Sequence, residues 1–329
     1  MPHNSQISLS IPLQMQLLHH LLSQPVWFLI FSSLGLFSLL KHVTHLIGFI
    51  FISFLRPPKC LKSYGSWALI TGSTDGIGKA FAFQLAQQGL HLILVSRNPD
   101  KLSAVSHQIQ ATHPNTKVKI FPLDFTTSDL PSGIRKLETF LQGLDVGLLI
   151  NNVGLSYQWA KYFHEVEEEA WMSLVRVNVE GTTRVTKAVL KGMVERKRGA
   201  IVNMGSGAAT VIPSHPFYAV YAATKAYVDQ LSRSLHVEYK SHGIDVQCQV
   251  PLYVATRMAS RVAAIHEPTM FAPSAEEYAR AAIKRIGYEA RSMPYWGHAL
   301  QWHLASAFPE FLVNLWRYSI GIRKRQRCR

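Results

Sequence analysis

The stretch Trp67-Ala68-Leu69-Ile70-Thr71-Gly72-Ser73-Thr74-Asp75-Gly76-Ile77-Gly78 decides the fold of this chain. Its first part is an apolar run of strand length, and a glycine turn and a helical pattern follow. A strand, a glycine turn and a helix in this order bring backbone N–H groups and a helix N-terminus to a position where a pyrophosphate can bind. Gly72, Gly76 and Gly78 let a phosphate approach the backbone closely.

Apolar runs of strand length alternate with longer amphipathic segments from Tyr64 onward. This rhythm is typical of βαβ units, in which helices cover both faces of a parallel sheet. The clearest helices are predicted at Gly78 to Gln88 and Tyr218 to Ser241. Strands are predicted at Trp67 to Thr71, His91 to Ser96, Val118 to Leu123, Gly147 to Asn151, Ala200 to Met204 and Asp245 to Val250. The predicted fold class is therefore α/β, a Rossmann-type doubly wound parallel sheet in a single domain.

The 329 residues carry a formal net charge of +14, and the basic excess lies toward the two ends of the chain. No acidic residue precedes Asp75, and Arg317 to Arg329 contains only basic charges. This distribution favours an anionic membrane surface or phosphorylated substrates as partners. Nucleic acid is not expected, because no recognition motif with interleaved aromatic residues accompanies the basic residues. The three cysteines, Cys60, Cys248 and Cys328, lie far apart without metal-ligand spacing, so neither a disulfide framework nor a metal site is predicted.

Residues 25–55 are almost entirely apolar and are long enough to cross a bilayer as a helix. Lys41 interrupts this apolar run. The run therefore predicts either a single helix, with Lys41 reaching toward one interface, or a re-entrant pair of short helices. A hydrophobic helix packed on the domain is a third interpretation. A cleaved signal peptide is not expected, since no lysine or arginine precedes Lys41. Arg56, Lys59 and Lys62 directly follow the run and favour a cytosolic position for the large domain.

The predicted organisation has five segments. Residues 1–24 form an N-terminal tail, residues 25–55 a membrane anchor and residues 56–63 a linker. Residues 64–290 form the nucleotide-binding domain, and residues 291–329 form an aromatic and basic C-terminal extension. Within that extension, the stretch Tyr295 to Tyr318 could line a substrate tunnel, enter the membrane interface or close the core as a final helix. Pro309 argues against a second continuous membrane span.

The end of the second predicted strand indicates which dinucleotide is bound. An acidic residue there would hold the adenosine ribose of NAD, whereas a cation accepts the 2′-phosphate of NADP. Ser96-Arg97-Asn98 contains no carboxylate, and Arg97, aided by Lys101, would pair with the phosphate. NADPH is therefore the expected cofactor.

A candidate for proton transfer is Tyr221, which lies one helical turn before Lys225 in Tyr-Ala-Ala-Thr-Lys. A phenol that gives up a proton near neutral pH needs a cation beside it, and the i,i+4 spacing puts the ammonium and the hydroxyl on one helix face. Nearby tyrosines lack this partner: Tyr218, Tyr227 and Tyr239 are followed four residues later by Ala222, Leu231 and Gly243.

These motifs resemble those of the short-chain dehydrogenase/reductase family. The shared features are Thr-Gly-x-x-x-Gly-Ile-Gly, Asp124 after the third strand, Asn151-Asn152-Val153-Gly154 after the fourth, Asn178, Ser206 and Tyr-x-x-x-Lys, in the family's order from about Trp67 to Gly287. The resemblance implies that Tyr221 protonates a carbonyl oxygen and that Ser206 binds the same oxygen. It also implies that Lys225 lowers the pKa of Tyr221 and binds the nicotinamide ribose. Asn178 would hold a water in the proton relay. The cofactor-binding residues that it implies are Gly72, Thr74, Asp75, Gly76, Ile77, Gly78, Arg97, Asn98, Lys101, Asp124, Asn152, Tyr221, Lys225, Val254 and Thr256.

A closer resemblance is to very-long-chain 3-oxoacyl-CoA reductases of the plant type and to the related 17-beta-hydroxysteroid dehydrogenases. It rests on five further motifs: Tyr64-Gly65-Ser66-Trp67, Thr-Asp-Gly-Ile-Gly-Lys-Ala in the glycine turn, Ser-Arg-Asn-Pro-Asp-Lys-Leu after the second strand, Val179 to Thr183 and Pro251 to Thr256. It implies NADPH-dependent reduction of 3-oxoacyl-CoA to 3-hydroxyacyl-CoA by the fatty-acid elongase of the endoplasmic reticulum. A 17-ketosteroid reductase and a weakly active or inactive NADPH-binding scaffold of the elongase are the alternatives. Oligomeric state and elongase partners stay open.

Two departures from the family pattern lie close to the predicted site. Val153 stands where the family usually has alanine, and it adds bulk beside the cofactor. The segment from Ser206 to Tyr221 is two residues longer than the common family spacing, and Ser214 is the nearest substitute for Ser206. The chain ends in the cluster Arg323-Lys324-Arg325-Gln326-Arg327-Cys328-Arg329 instead of the lysine-rich retrieval signal of many plant reductases.

Overall fold

The computed structural model of the chain describes residue 20 and residues 23–326. The predicted tail at residues 1–24 lies almost wholly outside the described residues, as does the end of the basic cluster. Two compact units are present, Met1–Arg56 and Pro57–Arg329.

The first unit contains one long apolar helix. Helix α1, Val26–Ile50, continues without a break into a π-helical turn, Phe51–Leu55, and none of the side chains in either segment is buried. Together they form a segment of 30 residues that is long and apolar enough to cross a membrane. Of the two membrane arrangements that Lys41 leaves open, the structure has the single helix rather than the re-entrant pair.

The second unit is built on a seven-stranded sheet in which all the strands are parallel, in the order β3-β2-β1-β4-β5-β6-β7. The strands are β1 Trp67–Thr71, β2 His91–Ser96, β3 Val118–Pro122, β4 Val146–Asn151, β5 Gly199–Met204, β6 Ile244–Gln249 and β7 Arg291–Ser292. The chain direction across the sheet reverses between β1 and β4. In doubly wound sheets a ligand binds in the crevice beyond the carboxyl ends of the strands at such a point.

Helices cover both faces of this sheet. They are α2 Gly76–Gln87, α3 Pro99–Thr112, α4 Leu130–Leu141, α5 Glu168–Val175, α6 Thr182–Arg196, α7 Gly207–Thr210, α8 Ala219–Tyr239, α9 Arg257–Ala263, α10 Ala275–Ile283, α11 Trp296–Ser306 and α12 Glu310–Gln326. A π-helical segment, Arg176–Gly181, joins α5 to α6. The predicted α/β fold is thus confirmed, and its six predicted strands agree with β1 to β6 to within one residue at each end.

Two apolar layers hold the sheet between its helices. On one face, Phe81 and Leu85 of α2 and Tyr278 of α10 pack with Ile70 and Leu94, and all five are fully buried. On the other face, α4 and α6 pack against the strands through a second cluster that contains Leu137, Val185 and Met193. Burying each such side chain stabilises the fold by roughly 1.5–3 kcal/mol.

The chain enters the second unit at the amino ends of the strands, where it is held by hydrogen bonds. Lys59 Nζ donates to Asp245 Oδ2 (3.0 Å), and the Tyr64 hydroxyl donates to the same oxygen. Tyr288 Oη donates to the carbonyl oxygen of Pro57 (2.7 Å). The residues between Pro57 and Tyr64 are therefore fixed to the sheet that they precede.

Candidate active site

The glycine turn lies at the carboxyl end of β1 and leads into α2. Gly72 and Gly76 adopt φ angles of +65° and +51°, a left-handed conformation that glycine accepts without strain. A Cβ atom on Gly78 would overlap the carbonyl oxygen of Gly72. The turn therefore needs hydrogen in place of side chains at these positions, and it exposes the N-terminus of α2 to an incoming phosphate.

Polar groups around the turn connect it to two neighbouring loops. Thr74 Oγ1 lies 3.1 Å from Ser96 Oγ at the end of β2. Asp75 caps α2 by accepting from the Gly76 N–H (2.9 Å), and its other oxygen lies 3.1 Å from Nε of the exposed Arg257. Arg257 offsets the negative charge that Asp75 would otherwise present to a phosphate.

Arg97 follows Ser96 directly and is exposed, as is Lys101 one turn into α3. Asn98 caps α3, because its Oδ1 accepts from the Lys101 N–H at 2.8 Å. The turn beside β2 thus carries two cations and no carboxylate at positions 96–98. These residues fit a nucleotide with a 2′-phosphate, with the pyrophosphate on the glycine turn and the 2′-phosphate beside Arg97.

The segment after β4 joins the glycine turn to the catalytic candidates. Asn152 Nδ2 donates to the carbonyl oxygens of Thr71 (3.1 Å) and Gly72 (3.2 Å). Val153 packs against the apolar cluster that α4 and α6 bury. At Gly154, an added Cβ would lie 3.4 Å from both Asn178 Oδ1 and Lys225 Nζ. The predicted site residues of three separate sequence regions therefore meet at this loop.

Asn178 lies in the π-helical segment and is almost fully buried, at 1% exposure. Its Oδ1 accepts from the Leu155 N–H (2.9 Å), while its Nδ2 donates to the Leu155 carbonyl oxygen (3.0 Å) and to Thr224 Oγ1 (3.0 Å). Single π-turns of this kind are frequent at functional sites. The Asn178 side chain ties the loop after β4 to helix α8, so its amide serves to position both elements.

Tyr221 lies in the first turns of α8, and its phenol lies near Ser206, which follows β5. Burial raises the pKa of Tyr221, the nearby Ser206 hydroxyl opposes this shift, and the nearby Tyr253 adds to it. The net direction is opposite to the lowering that Lys225 was expected to cause. With the residues of this chain alone, the phenol remains protonated at neutral pH.

Lys225 is buried, at 6% exposure, and its Nζ donates to the carbonyl oxygen of Met204 (2.8 Å). Burial lowers the pKa of Lys225 to about 8, and the nearby Cys248 opposes this shift. Cys248 is itself fully buried beside Asp229, which pairs with Arg291 of β7. A buried lysine that changes charge near neutral pH is typical of a functional site.

Ser214 does not substitute for Ser206. Its Oγ donates to Asn314 Oδ1 of α12 at 2.6 Å, and it is Ser206 that contacts Tyr221. Ser206 also caps the short helix α7 by accepting from the Ala208 N–H (3.2 Å). The extra residues between Ser206 and Tyr221 are thus taken up in a loop that faces α12.

An apolar cleft of about 200 Å³ opens beside the first residue of α8. Aromatic rings form most of its walls: Tyr157, Tyr162, Phe163, Phe217 and Tyr318. Lys161 adds a cation to the lining. The cleft has the apolar character that an alkyl chain requires, and it lies two residues from Tyr221 along the helix.

Four other predicted cofactor residues have structural contacts of their own. Asp124 Oδ1 accepts from the backbone N–H (2.9 Å) and the hydroxyl (2.8 Å) of Thr126. Val254 is buried in the core, and Thr256 caps α9 with its methyl group beside Gly76. Ile77 is partly buried against the same core. Cofactor binding by these residues stays a prediction.

Sequence reasoning missed Tyr253, Thr224 and a buried amide network. Tyr253 follows β6 and acts on the Tyr221 phenol, and Thr224 receives the Asn178 hydrogen bond. Beneath the site, Asn151 Nδ2 donates to Asn203 Oδ1 (2.8 Å), whose own amide donates to Ser232. The signal for Tyr253 was present, because it lies in the Pro251 to Thr256 motif, but a hydroxyl in a loop has no distinctive spacing.

The chain is similar to known proteins over most of its length. A family model described as short chain dehydrogenase matches residues 66–266. A very-long-chain 3-oxoacyl-CoA reductase-like protein from Arabidopsis thaliana is 55% identical over 305 residues, which cover 92% of this chain and 96% of that protein. The very-long-chain 3-oxoacyl-CoA reductase of Rattus norvegicus is 42% identical over 75% of this chain and 77% of its own length. The inactive hydroxysteroid dehydrogenase-like protein 1 of Homo sapiens is 40% identical over 77% of this chain and 75% of its own length.

Solved structures share the fold. A short-chain dehydrogenase from Sphingobium yanoikuyae in complex with NADPH superposes with a TM-score of 0.63 at 28% identity, covering 73% of this chain and 92% of that one. A structure from a study of 7beta-hydroxysteroid dehydrogenase stereoselectivity has a TM-score of 0.69 at 22% identity, covering 78% and 98% of the two chains. The second likeness concerns the fold alone.

Proposed function

The chain belongs to the short-chain dehydrogenase family, and from this premise we propose that it reduces very-long-chain 3-oxoacyl-CoA to 3-hydroxyacyl-CoA with NADPH. The observation that carries the proposal is the position of the Tyr221 phenol beside Ser206, with the buried Lys225 one helical turn away. The chain is also 55% identical, over 92% of its length, to a very-long-chain 3-oxoacyl-CoA reductase-like protein.

Different residues of the chain contribute different steps of carbonyl reduction. When bound, NADPH supplies the hydride that the carbonyl carbon accepts. Tyr221 donates its proton to the carbonyl oxygen, and its raised pKa keeps it in the protonated form that reduction consumes. The Ser206 hydroxyl stabilises the negative charge that develops on that oxygen. Lys225 offers a positive charge that favours the resulting phenolate.

Arg97 and Lys101 support the choice of NADPH over NADH. Both are exposed beside the end of β2, and residues 96–98 offer no carboxylate that would repel a 2′-phosphate. The apolar cleft beside α8 supports a substrate with a hydrocarbon chain, because aromatic rings form most of its walls.

We further propose that the protein resides in the endoplasmic reticulum membrane with its catalytic unit in the cytosol. The 30-residue apolar helix Val26–Leu55 supports a membrane position, and the basic residues Arg56, Lys59 and Lys62 that follow it support the orientation. Protease treatment of sealed microsomes should digest the catalytic unit, and protection of that unit would reverse the orientation. Removing the C-terminal basic cluster tests whether it contributes to retention, and an unchanged location would exclude that role.

Reduction can be tested in membranes that contain the full chain. NADPH consumption is measured with a series of 3-oxoacyl-CoA chain lengths, and membranes carrying Tyr221→Phe provide the background. We expect turnover that rises with chain length and is absent from the variant. No difference between the two membranes with any acyl-CoA would remove the proposed function.

Two other functions are favoured by the likeness to inactive hydroxysteroid dehydrogenase-like protein 1. A 17-ketosteroid added to the same membranes distinguishes the first, since a steroid reductase would turn over the steroid in preference to acyl-CoA. An NADPH-binding scaffold would bind NADPH and co-purify with other elongase subunits without turnover of either substrate. The intact Tyr221, Lys225, Ser206 and Asn178 support catalysis over the scaffold.

A further inference from the structure

Helix α12 lies beyond residues 66–266, the part of the chain that the family model matches, yet it contacts the loop that leads to Tyr221. Ser214 Oγ donates to Asn314 Oδ1 at 2.6 Å. Arg317 donates to His215 Nε2 at 2.6 Å. Asn314 and Arg317 are three residues apart and therefore lie on one face of α12. This face holds two successive residues of the loop.

Phe217 is the third loop residue that this helix face contacts. Its φ of +68° is rare for a residue with a side chain, and such strain persists only where surrounding contacts impose it. Its ring lies directly over Gly321 of α12, where an added Cβ would overlap the ring carbons. The Phe217 ring also packs 5.3 Å from the Tyr318 ring, measured between centroids. The absence of a side chain at Gly321 is what leaves room for Phe217.

The far end of α12 is fixed as well. Arg325 forms a two-pronged ion pair with Glu165, in which Nη2 donates to Oε1 at 2.8 Å and Nη1 donates to Oε2. The guanidinium carbon of Arg325 lies 4.5 Å from the centroid of the Tyr162 ring. Lys324 Nζ donates to the carbonyl oxygen of Val262 at 2.9 Å. Helix α12 is therefore held independently of the loop, and it can act as a fixed support for it.

The loop position has a direct effect on the reacting groups. Phe217 precedes Tyr218, the N-terminal flanking residue of α8, and the carbonyl oxygen of Tyr218 accepts the first hydrogen bond of that helix, from the Ala222 N–H (3.0 Å). A shift at Phe217 moves the start of α8, and with it Tyr221, while Ser206 stays at the end of β5. Tyr221 and Ile322 of α12 also pack against the same apolar cluster.

We propose that α12 is a positioning element of the active site, and that Gly321 is its key residue because it admits the Phe217 ring and so sets the distance between Tyr221 and Ser206. This inference rests on the proposed reductase function. It also gives the Ser206 to Tyr221 segment a role, since its residues Ser214, His215 and Phe217 contact α12.

The test compares Gly321→Ala with Ser319→Ala in the full chain. Ser319 is exposed on the same helix, and its hydroxyl bonds only to the backbone of Trp316. Alanine is the better helix former, so Gly321→Ala should not weaken α12 itself. We expect kcat for 3-oxoacyl-CoA to fall about tenfold or more in Gly321→Ala. The Kd for NADPH should stay within about twofold of the wild-type value, and this difference separates a positioning effect from an effect on cofactor binding. Ser319→Ala should match the wild-type protein.

Removal of the Phe217 ring tests whether the loss of kcat in Gly321→Ala comes from overlap with that ring. In a double-mutant cycle, Gly321→Ala should cost almost nothing further in a Phe217→Ala background, because the overlap is gone. A kcat for Gly321→Ala within about twofold of wild type, or multiplicative losses in the double variant, would overturn the inference.

Hydrogen exchange keeps the inference testable apart from catalysis. Amides of residues 211–221 should exchange faster in Gly321→Ala than in Ser319→Ala. If the wild-type chain fails to reduce any acyl-CoA, the proposed function fails, and exchange alone then decides: unchanged exchange in residues 211–221 rejects the positioning role of Gly321.

Discussion

At the scale of single residues, the site combines a phenol that holds its proton with a lysine that is close to losing one. Burial is the main cause in both cases, since it raises the pKa of Tyr221 and lowers the pKa of Lys225. Desolvation favours the neutral form of each group. A neutral phenol is the reactant for ketone reduction, so the resting site is prepared for that direction.

Tyr221→Phe removes the proton donor and leaves the ring in place. We expect reduction to fall by at least about a hundredfold, within the range of general acid catalysis, while the NADPH Kd changes little. NADPH fluorescence titration and turnover on the same preparation measure the two quantities. Lost NADPH binding, or retained turnover, would contradict the assignment of Tyr221 as the acid.

The pH dependence of reduction should report Lys225. Because its pKa is lowered to about 8, its cation is present below that pH and is lost as the pH rises through it. We expect kcat/KM to decline above about pH 8. In an active Lys225→Arg variant the decline should begin at a higher pH, because arginine stays protonated. A wild-type profile that is flat to pH 9.5 would show that the Lys225 charge is not required.

Cofactor choice depends on Arg97. We expect Arg97→Asp to raise the KM for NADPH by about tenfold or more, because the change replaces an attractive charge by a repulsive one next to the 2′-phosphate. The KM for NADH should change far less, and Lys119→Asp, on β3, serves as a matched charge control. Equal effects on the two cofactors would place the 2′-phosphate elsewhere.

At the scale of elements, apolar runs predicted β1, β2, β4 and β5 most directly because these strands are buried along most or all of their length, whereas the predicted β3 is only partly buried. Strand β7 escaped prediction because it has two residues, Arg291 and Ser292, and is defined by pairing with Cys248 and Gln249 instead of by its own composition. The π-helical segment around Asn178 is invisible to periodicity for a similar reason, since one added residue per turn leaves no compositional trace. Tyr221 and Lys225 could be predicted because helical spacing alone brings them together, whereas the contact of Ser214 with Asn314 spans 100 residues and depends on tertiary packing.

The glycine turn makes a prediction at this scale. Gly78→Ala would place a methyl group onto the carbonyl oxygen of Gly72, and backbone cannot move aside as a side chain can. We expect NADPH affinity to fall by about tenfold or more, and the melting temperature to drop. Gly192→Ala in α6 is the control, because its Cβ would meet only the flexible end of Arg196 at 3.0 Å. Unchanged NADPH binding in Gly78→Ala would show that the turn is not the pyrophosphate site.

At the scale of the whole molecule, the buried His298 and the half-buried His215 couple stability to acidity. His298 holds the loop after β6 by accepting from the Leu252 N–H (3.3 Å) and donating to the Tyr253 carbonyl oxygen (3.0 Å), which requires a neutral ring. Burial lowers the pKa of His298 to about 4, and burial together with Arg317 lowers the pKa of His215 to about 3. The unfolded chain binds protons on both residues from about pH 6.5 downward.

Stability should therefore fall as the pH drops from about 6.5 to about 4, since the unfolded state takes up protons that the folded state excludes. For the fully buried His298 the loss is on the order of 3 kcal/mol. Unfolding of the full chain in detergent, followed from pH 4 to pH 8, measures it. His298→Gln should flatten this dependence, while His266→Gln, at an exposed position, should not. Equal slopes for all three proteins would exclude His298 as the cause.

The buried thiol of Cys248 beside Lys225 determines how the protein responds to alkylating reagents. Burial raises the pKa of Cys248 to about 12, so almost no thiolate exists there at neutral pH, and no reagent can reach the sulfur from solvent. Cys60 is exposed in the segment that precedes β1, whose neighbouring Lys59 bonds to Asp245 at the amino end of β6. Among the described cysteines, a maleimide dye would therefore attach to Cys60 and leave the chemistry at Tyr221 intact.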